Sequence, residues 1–244
     1  MGKTDAIRSL FNNIAPSYDR LNHLLSLNVD KIWRRKGVKE IVVANTAQQI
    51  LDVACGTGDF AIAIALKANP QTKVVGIDIS DGMLDVCKKK VTEINAKRAS
   101  KGECKNHTLN ITTQIENSED MSFPSDTFDR VSVAFGIRNF DDRASGLREM
   151  LRVLRHGGRL VILELSIPSN SFVAALYKLY FFKILPCVGG WISCDRAAYE
   201  YLPRSVANFP RPEVFAQLMT DCGFTQVSHR SLSFGLCQMY IGVK

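Results

Sequence analysis

The stretch Leu51-Asp52-Val53-Ala54-Cys55-Gly56-Thr57-Gly58-Asp59 restricts this chain more than any other. It reads as an apolar strand that turns sharply, through two glycines separated by one residue, into a helix. Glycine suits such a turn because the backbone can lie close to a ligand that a Cβ would displace. The pattern continues downstream. Strand-like runs at Gln49–Val53, Lys73–Asp78, Ile111–Glu116, Phe128–Ala134 and Gly158–Glu164 alternate with helical segments at Phe60–Ala68, Gly82 to about Asn95 and Arg143–Leu154. In the last of these, Leu147, Met150, Leu151 and Leu154 recur at helical spacing. The order β-α-β-α-β-β-α-β predicts an α/β fold, a mostly parallel sheet with helices on both faces.

The ends of the chain depart from this rhythm. A helical arm is expected from Thr4 to about Leu27 and a second helix around Lys31–Val43. After Glu164, Phe172–Leu185 is apolar and aromatic and Tyr199–Val206 is tyrosine-rich, which reads as an inserted cover. A helix from Pro212 through Met219 then leads to two alternating runs, Gln226–Ser233 and Leu236–Val243, which form a terminal hairpin. At 244 residues the chain is expected to be one domain: an arm (1–47), a core (48–166), a helical cover (167–211) and a terminal helix with hairpin (212–244).

Composition narrows the partners. Hydrophobic residues make up 46% and charged residues 23%, enough to bury a core and too few apolar residues for a membrane-embedded chain. No run reaches the roughly eighteen apolar residues that a membrane helix needs. Phe172–Trp191 comes nearest and is broken by Lys178, Lys183, Pro186 and a Gly pair. The first ten residues carry Asp5 and Arg8 and lack the apolar core and cleavage site of a secretory signal, so a cytoplasmic location is expected. Seven cysteines without Cys-x-x-Cys spacing and four scattered histidines point to buried, reduced thiols and to no metal site. The net charge of +7 gathers at Arg34-Arg35-Lys36, Lys88-Lys89-Lys90 and Lys97–Lys105. Such clusters can face anionic lipid or simply water, and without interleaved aromatics they do not suggest nucleic acid.

Asp78 closes the second strand, twenty-one residues after Thr57, where a carboxylate can accept both hydroxyls of an adenosine ribose. Glycine turn and acid together form a nucleoside-binding unit, and Gly56-Thr57-Gly58-Asp59-Phe60-Ala61 also fits the dinucleotide fingerprint of NAD-dependent enzymes. The Tyr-x-x-x-Lys pair of short-chain dehydrogenases is missing from its expected place, occurring only as Tyr240 with Lys244 at the chain end. The third strand instead ends in Glu116-Asn117-Ser118, followed by Phe123-Pro124-Ser125-Asp126-Thr127-Phe128-Asp129, which resembles the adenine-holding segment of class I methyltransferases that use S-adenosylmethionine (SAM).

Motifs outside that generic core carry a closer resemblance. Tyr18-Asp19-Arg20-Leu21-Asn22-His23-Leu24-Leu25-Ser26 and on to Trp33, Phe135-Gly136-Ile137-Arg138-Asn139, and Arg152-Val153-Leu154-Arg155-His156-Gly157-Gly158-Arg159-Leu160 through Ser166 resemble the C-methyltransferases of quinone biosynthesis along nearly the whole chain. Asp30 replaces a usual histidine, Leu21 a methionine, and Arg155-His156 a Lys-Pro pair. Ala134 stands where relatives often have a serine that touches the cofactor, so that contact is not carried over. The resemblance implies a Rossmann-like class I fold with a seven-stranded sheet, and SAM contacts at Gly56, Thr57, Gly58, Asp78, Asn117 and Ser118.

It also implies the substrate. A quinol carries its own nucleophile, because ionising its hydroxyl pushes electron density onto the neighbouring ring carbon, and the SAM sulfonium makes its methyl electrophilic. Arg138, just past the fourth strand, is the candidate for stabilising the developing phenolate, with a structural ion pair as its other role. Asp195, Tyr199 and Tyr201 are weaker candidates for quinol contact. Phe172, Tyr177, Tyr180, Phe181 and Ile184 offer an apolar groove for an isoprenoid tail, a face for the membrane, or a buried helix. The expected partners are thus a polyprenyl quinol and the anionic inner membrane surface, with a homodimer compatible and no nucleic acid. Demethylmenaquinol is favoured over a ubiquinone precursor as acceptor, and the other classes left open are methylation of another small acceptor, NAD-dependent oxidation and a noncatalytic nucleotide-binding module.

Overall fold

The computed structural model describes residues 3–100, 108–168, 170, 175 and 196–244. Among them one sheet holds seven strands: β1 (Gln49–Val53), β2 (Lys73–Asp78), β3 (Ile111–Ile115), β4 (Phe128–Ala134), β5 (Leu154–Leu165), β6 (Thr225–Leu232) and β7 (Cys237–Val243). Their order is β3-β2-β1-β4-β5-β7-β6. Strands β1 to β5 pair in parallel, and β7 enters antiparallel between β5 and the edge strand β6. The helices are α1 (Lys3–Ile14), α2 (Tyr18–Leu25), α3 (Val29–Ile41), α4 (Asp59–Ala65), α5 (Asp81–Ser100), α6 (Arg143–Val153), α7 (Arg196–Ala207) and α8 (Pro212–Asp221).

Alternation along the strands sorts the core into two layers. Leu160 and Ile162 join Leu51, Val131, Leu147, Met150, Phe215 and Tyr240 on one face of the sheet. Their neighbours Val161 and Leu163 join Trp33, Ile41, Ile50, Phe60 and Ile64 on the other. Each such side chain contributes about 1.5–3 kcal/mol by leaving water, and a one-residue slip of β5 would exchange the two sets, so burial itself sets the register.

Several boundaries differ by a few residues from the sequence expectation, and two of the differences have a clear local reason. The arm breaks into α1 and α2 at Ala15-Pro16-Ser17, because proline has no amide to donate and its ring crowds the preceding turn. Helix α6 stops at Val153, and Leu154 already pairs with Phe128, so β5 starts earlier than Gly158 and passes a register shift near Gly157, whose φ is 74°. Helix α5 runs to Ser100, beyond Asn95.

Strand order reverses at β1, from which the chain first builds outward to β3 and then returns to β4. A crevice opens where neighbouring strands send their connections to opposite sides, at the carboxyl ends of β1 and β4, and ligands of such sheets bind there.

Candidate active site

The turn after β1 opens that crevice. Ala54, Gly56 and Gly58 all have positive φ, at 51°, 54° and 81°, and the Cys55 amide donates to the Ile77 carbonyl, fastening the turn to β2. The two glycines are needed for different reasons. A Cβ on Gly56 would meet nothing within 4 Å, so the open side of this residue faces the cavity. A Cβ on Gly58 would lie 2.2 Å from Cys87 Sγ on α5, so the missing side chain at this position lets α4 and α5 pack together.

The cavity beside this turn is open on one side, and its empty space together with the solvent at its mouth amounts to about 940 Å³. Gly56, Thr57, Asp78, Asn117 and Ser118 line it, and Gly58 and Arg138 are not in its lining among the described residues. Asp78 Oδ2 accepts from the Gly56 amide at 2.9 Å and Oδ1 from the Ser80 amide at 2.9 Å. Burial raises its pKa against these bonds and a further one from the Ile79 backbone, and a carboxylate with three donors still has room for another. Asn117 Oδ1 accepts from the Glu119 amide at 3.0 Å, while Ser118 is buried beside it.

Helix α2 makes a wall that the sequence did not announce. The Thr57 hydroxyl donates to Asp19 Oδ1, and Lys90 reaches Asp19 at 2.8 Å and also pairs with Asp59. His23 lies 2.9 Å from Asp30 and 3.4 Å from Asp59, and Arg34 pairs with Asp30 and stands 3.6 Å from Asp59. Burial would raise the Asp59 pKa, but Arg34 and Lys90 reverse this and leave it below the usual range. His23, Asp30 and Asp59 approach one another closely enough to hold a cation, yet Arg34 and Lys90 already supply the balancing charge. Asn12 secures α1 in the same way, accepting from the Gly82 amide at 3.1 Å and donating to Asp81 at 3.0 Å.

Arg34 therefore leaves the basic cluster in which the sequence placed it. Its neighbours Arg35 and Lys36 are exposed, while Arg34 is buried, lines the cavity and lies over the Phe135 ring at 5.4 Å. The signal was available: Trp33, Arg34, Gly37, Val38 and Ile41 share one helical face, the buried face of α3. Asp52, also absent from the candidates, sits 1% exposed in the cavity floor, where it accepts from Ser132 at 2.6 Å. Burial pushes its pKa up to about 7 despite that bond.

Arg138 occupies the other role that its sequence position allowed. Its guanidinium pairs with Glu164 at 2.8 Å and reaches Ser205 on α7 at 3.3 Å, with the two charged side chains 5% and 0% exposed. Burial disfavours the Arg138 charge, but Glu164 more than compensates and its pKa rises. Its charge still acts on the cavity through Tyr18, a lining residue whose phenol pKa is raised by burial and lowered in turn by Arg138 and Arg34. Tyr201 donates to Asn139 Oδ1 at 2.8 Å and so holds a second polar lining group. Asp195 and the aromatic segment Phe172, Tyr177, Tyr180, Phe181 and Ile184 lie outside the described residues, as does the side chain of Tyr199.

Comparison with known proteins agrees with this geometry. The model of the ubiE/COQ5 methyltransferase family matches residues 1–244. The "Ubiquinone/menaquinone biosynthesis C-methyltransferase UbiE" of Geobacter sulfurreducens is 45% identical over 242 residues, covering 99% of this chain and 90% of that protein. The "Demethylmenaquinone methyltransferase" of Bacteroides fragilis is 41% identical over 242 residues, covering 99% and 94%. Among solved structures, a SAM-dependent methyltransferase from Thermotoga maritima superposes with a TM-score of 0.63 at 18% identity, covering 97% of this chain and 99% of that one. Another from Aquifex aeolicus gives 0.61 at 15% identity, covering 92% and 96%. These structures share the fold.

Proposed function

The chain belongs to the ubiE/COQ5 methyltransferase family, and on that premise we propose that it transfers the methyl group of SAM to a ring carbon of a demethylated polyprenyl quinol, with demethylmenaquinol as the acceptor. The observation that carries the cofactor half is the Asp78 carboxylate at the tip of β2, beside the open face of Gly56, in the crevice where the strand order reverses. The acceptor half is supported by relatives at 41–45% identity over nearly the full chain whose names give quinone precursors as substrates.

When bound, SAM supplies a methyl made electrophilic by its sulfonium; the protein has to align, dry and polarise. Asp78 would take the ribose diol, and Asn117 and Ser118 the adenine edge. Phe11, Phe135 and Phe140 give the cavity apolar walls that exclude water. Tyr18 and Asn139 are polar groups of the lining and would meet an acceptor hydroxyl on this wall. The raised pKa of Tyr18 keeps its proton in place at neutral pH, so the phenol can donate to the oxygen that becomes negative as the ring carbon attacks. Arg138, held by Glu164, supports this through its charge without touching the acceptor.

Membrane contact follows from where such an acceptor resides. No helix among the described residues is long and apolar enough to cross a membrane. Exposed apolar side chains support a peripheral contact instead: Phe234 is 85% exposed, and Ile32 and Ile167 are also exposed. These residues adjoin two bonded pairs, Trp33 with Ser233 at 2.9 Å and Ser166 with the Gly235 carbonyl at 2.5 Å.

The test is transfer of labelled methyl from SAM to demethylmenaquinol and, separately, to a demethylated ubiquinone precursor, read by product mass. Methylation of the naphthoquinol supports the proposal. Methylation of the benzoquinol alone moves the acceptor to the ubiquinone side, and methylation of neither overturns it.

A further inference from the structure

Two charged groups in the cavity have hydrogen-bonding capacity that the fold leaves unused. Arg34 Nε is fully buried and has no hydrogen-bond partner among the described residues. The same holds for Asp52 Oδ2. Both residues line the cavity, together with Gly56 and Thr57. An unmet buried donor on a guanidinium costs about 1–3 kcal/mol or more, so a fold that keeps one beside a cavity points to a ligand that satisfies it.

The surroundings of Arg34 say which atom it is built to meet. Asp30 binds Nη1, and Phe135 lies along the guanidinium at 5.4 Å, so the side chain is held in place on two sides while Nε stays free. A planar guanidinium held in this manner recognises a carboxylate. Asp52, with one oxygen occupied by Ser132, offers the complementary acceptor for an ammonium. A fixed cation and an acid that ionises near neutral pH, each with an unused hydrogen-bonding site in one cavity, match the two ends of an α-amino acid.

We propose that Arg34 binds the α-carboxylate of the methionyl end of SAM, with Asp52 facing its α-ammonium, an assignment that rests on the cofactor reading above. This explains why a charged residue of α3, outside the strand-turn-helix unit, is turned inward while Arg35 and Lys36 face solvent. It also gives the network of His23, Asp30 and Asp59 a purpose: it positions the guanidinium that receives the cofactor.

Calorimetric titration of the full chain with SAM and with decarboxylated SAM, which keeps the sulfonium and ammonium and lacks the carboxylate, tests this directly. The natural protein is expected to favour SAM by at least about tenfold, some 1.4 kcal/mol. Arg34→Met is expected to abolish that preference while leaving affinity for the decarboxylated compound within about twofold, a coupling that a general loosening of the cavity cannot mimic. Should Arg34→Met fail to fold, Arg34→Lys, which keeps the charge toward Asp30 but lacks the Nε donor, is expected to lose most of the preference. Equal binding of both compounds by the natural protein, or a preference that survives in the Arg34 variants, overturns the assignment while the cofactor reading stands. Binding of neither compound removes the cofactor reading and this assignment with it.

Discussion

The Thr57 hydroxyl donates its hydrogen bond to the Asp19 carboxylate, so the glycine turn at the tip of β1 is tied directly to helix α2 of the N-terminal arm. The arm is therefore part of the cavity, with Ile7, Phe11 and Tyr18 on its inner surface. Asp19→Ala removes this tie and the Lys90 contact together. Affinity for S-adenosylhomocysteine is expected to fall about three- to tenfold, at about 1 kcal/mol for a lost hydrogen bond. Limited proteolysis should release an N-terminal fragment faster than in the natural protein. Unchanged affinity and an unchanged cleavage pattern would show that the arm is not a working wall.

Gly56 and Gly58 should fail differently when given a methyl group. Gly58→Ala drives a Cβ into Cys87 at a φ of 81°, and unfolding by denaturant should show a loss of about 1–3 kcal/mol. Gly56→Ala meets no protein atom and pays only the left-handed conformation, about 1–2 kcal/mol, but it places a methyl in the space proposed for the cofactor. The expected signature is a Gly56 variant whose loss of S-adenosylhomocysteine binding, in calorimetry, far exceeds that of the folded Gly58 variant.

Asp52 gives stability an unusual pH dependence. Its folded pKa, about 7, lies above the ordinary aspartate value, so between about pH 4 and 7 the folded state holds a proton that the unfolded chain has lost. Stability contributed at this position is therefore present below pH 4 and is lost as pH rises towards 7, amounting to a few kcal/mol. Asp52→Asn, which can still accept from Ser132, should match the natural protein in thermal midpoint near pH 4 and exceed it by several degrees at pH 8, without ligand. Parallel melting profiles across that range would refute the buried-acid account.

Breaking the Arg138–Glu164 pair should be costly from one side and mild from both. Arg138→Met leaves Glu164 charged and fully buried, a loss of about 3–5 kcal/mol. The double variant Arg138→Met with Glu164→Gln removes both charges and should recover a large part of it in denaturant unfolding. If the single and double variants are equally destabilised, the pair is not what holds this region.

Tyr18→Phe isolates the acceptor chemistry from binding. The ring keeps its place against Phe11, and only the phenolic donor is lost. kcat with the quinol should fall about 10- to 100-fold while S-adenosylhomocysteine affinity changes less than about threefold. An unchanged kcat would remove Tyr18 from the proposed polarising role.

Local rules were enough for the elements. Alternation marked Gln49–Val53, Lys73–Asp78 and Phe128–Ala134 to the residue, because each of these strands is bounded by a turn whose chemistry is written in the chain. The glycine turn and Asp78 were legible for the same reason: both belong to one strand-turn-helix unit and its neighbour. What the sequence by itself determined is thus the layered α/β core, the crevice and the residues proposed to hold the nucleoside at its edge.

Tertiary structure decided the rest, since the remaining site residues are far apart along the chain and their roles depend on which way a side chain faces. Arg34 looks like one of three surface cations until the packing of α3 on the sheet turns it inward. Arg138 can face an acceptor or pair within the fold until Glu164, twenty-six residues later, arrives beside it from the neighbouring strand. Charge and polarity can be read residue by residue, but pairing and burial are properties of the assembled chain, and in this site they separate a group that lines the cavity from one that holds the wall behind it.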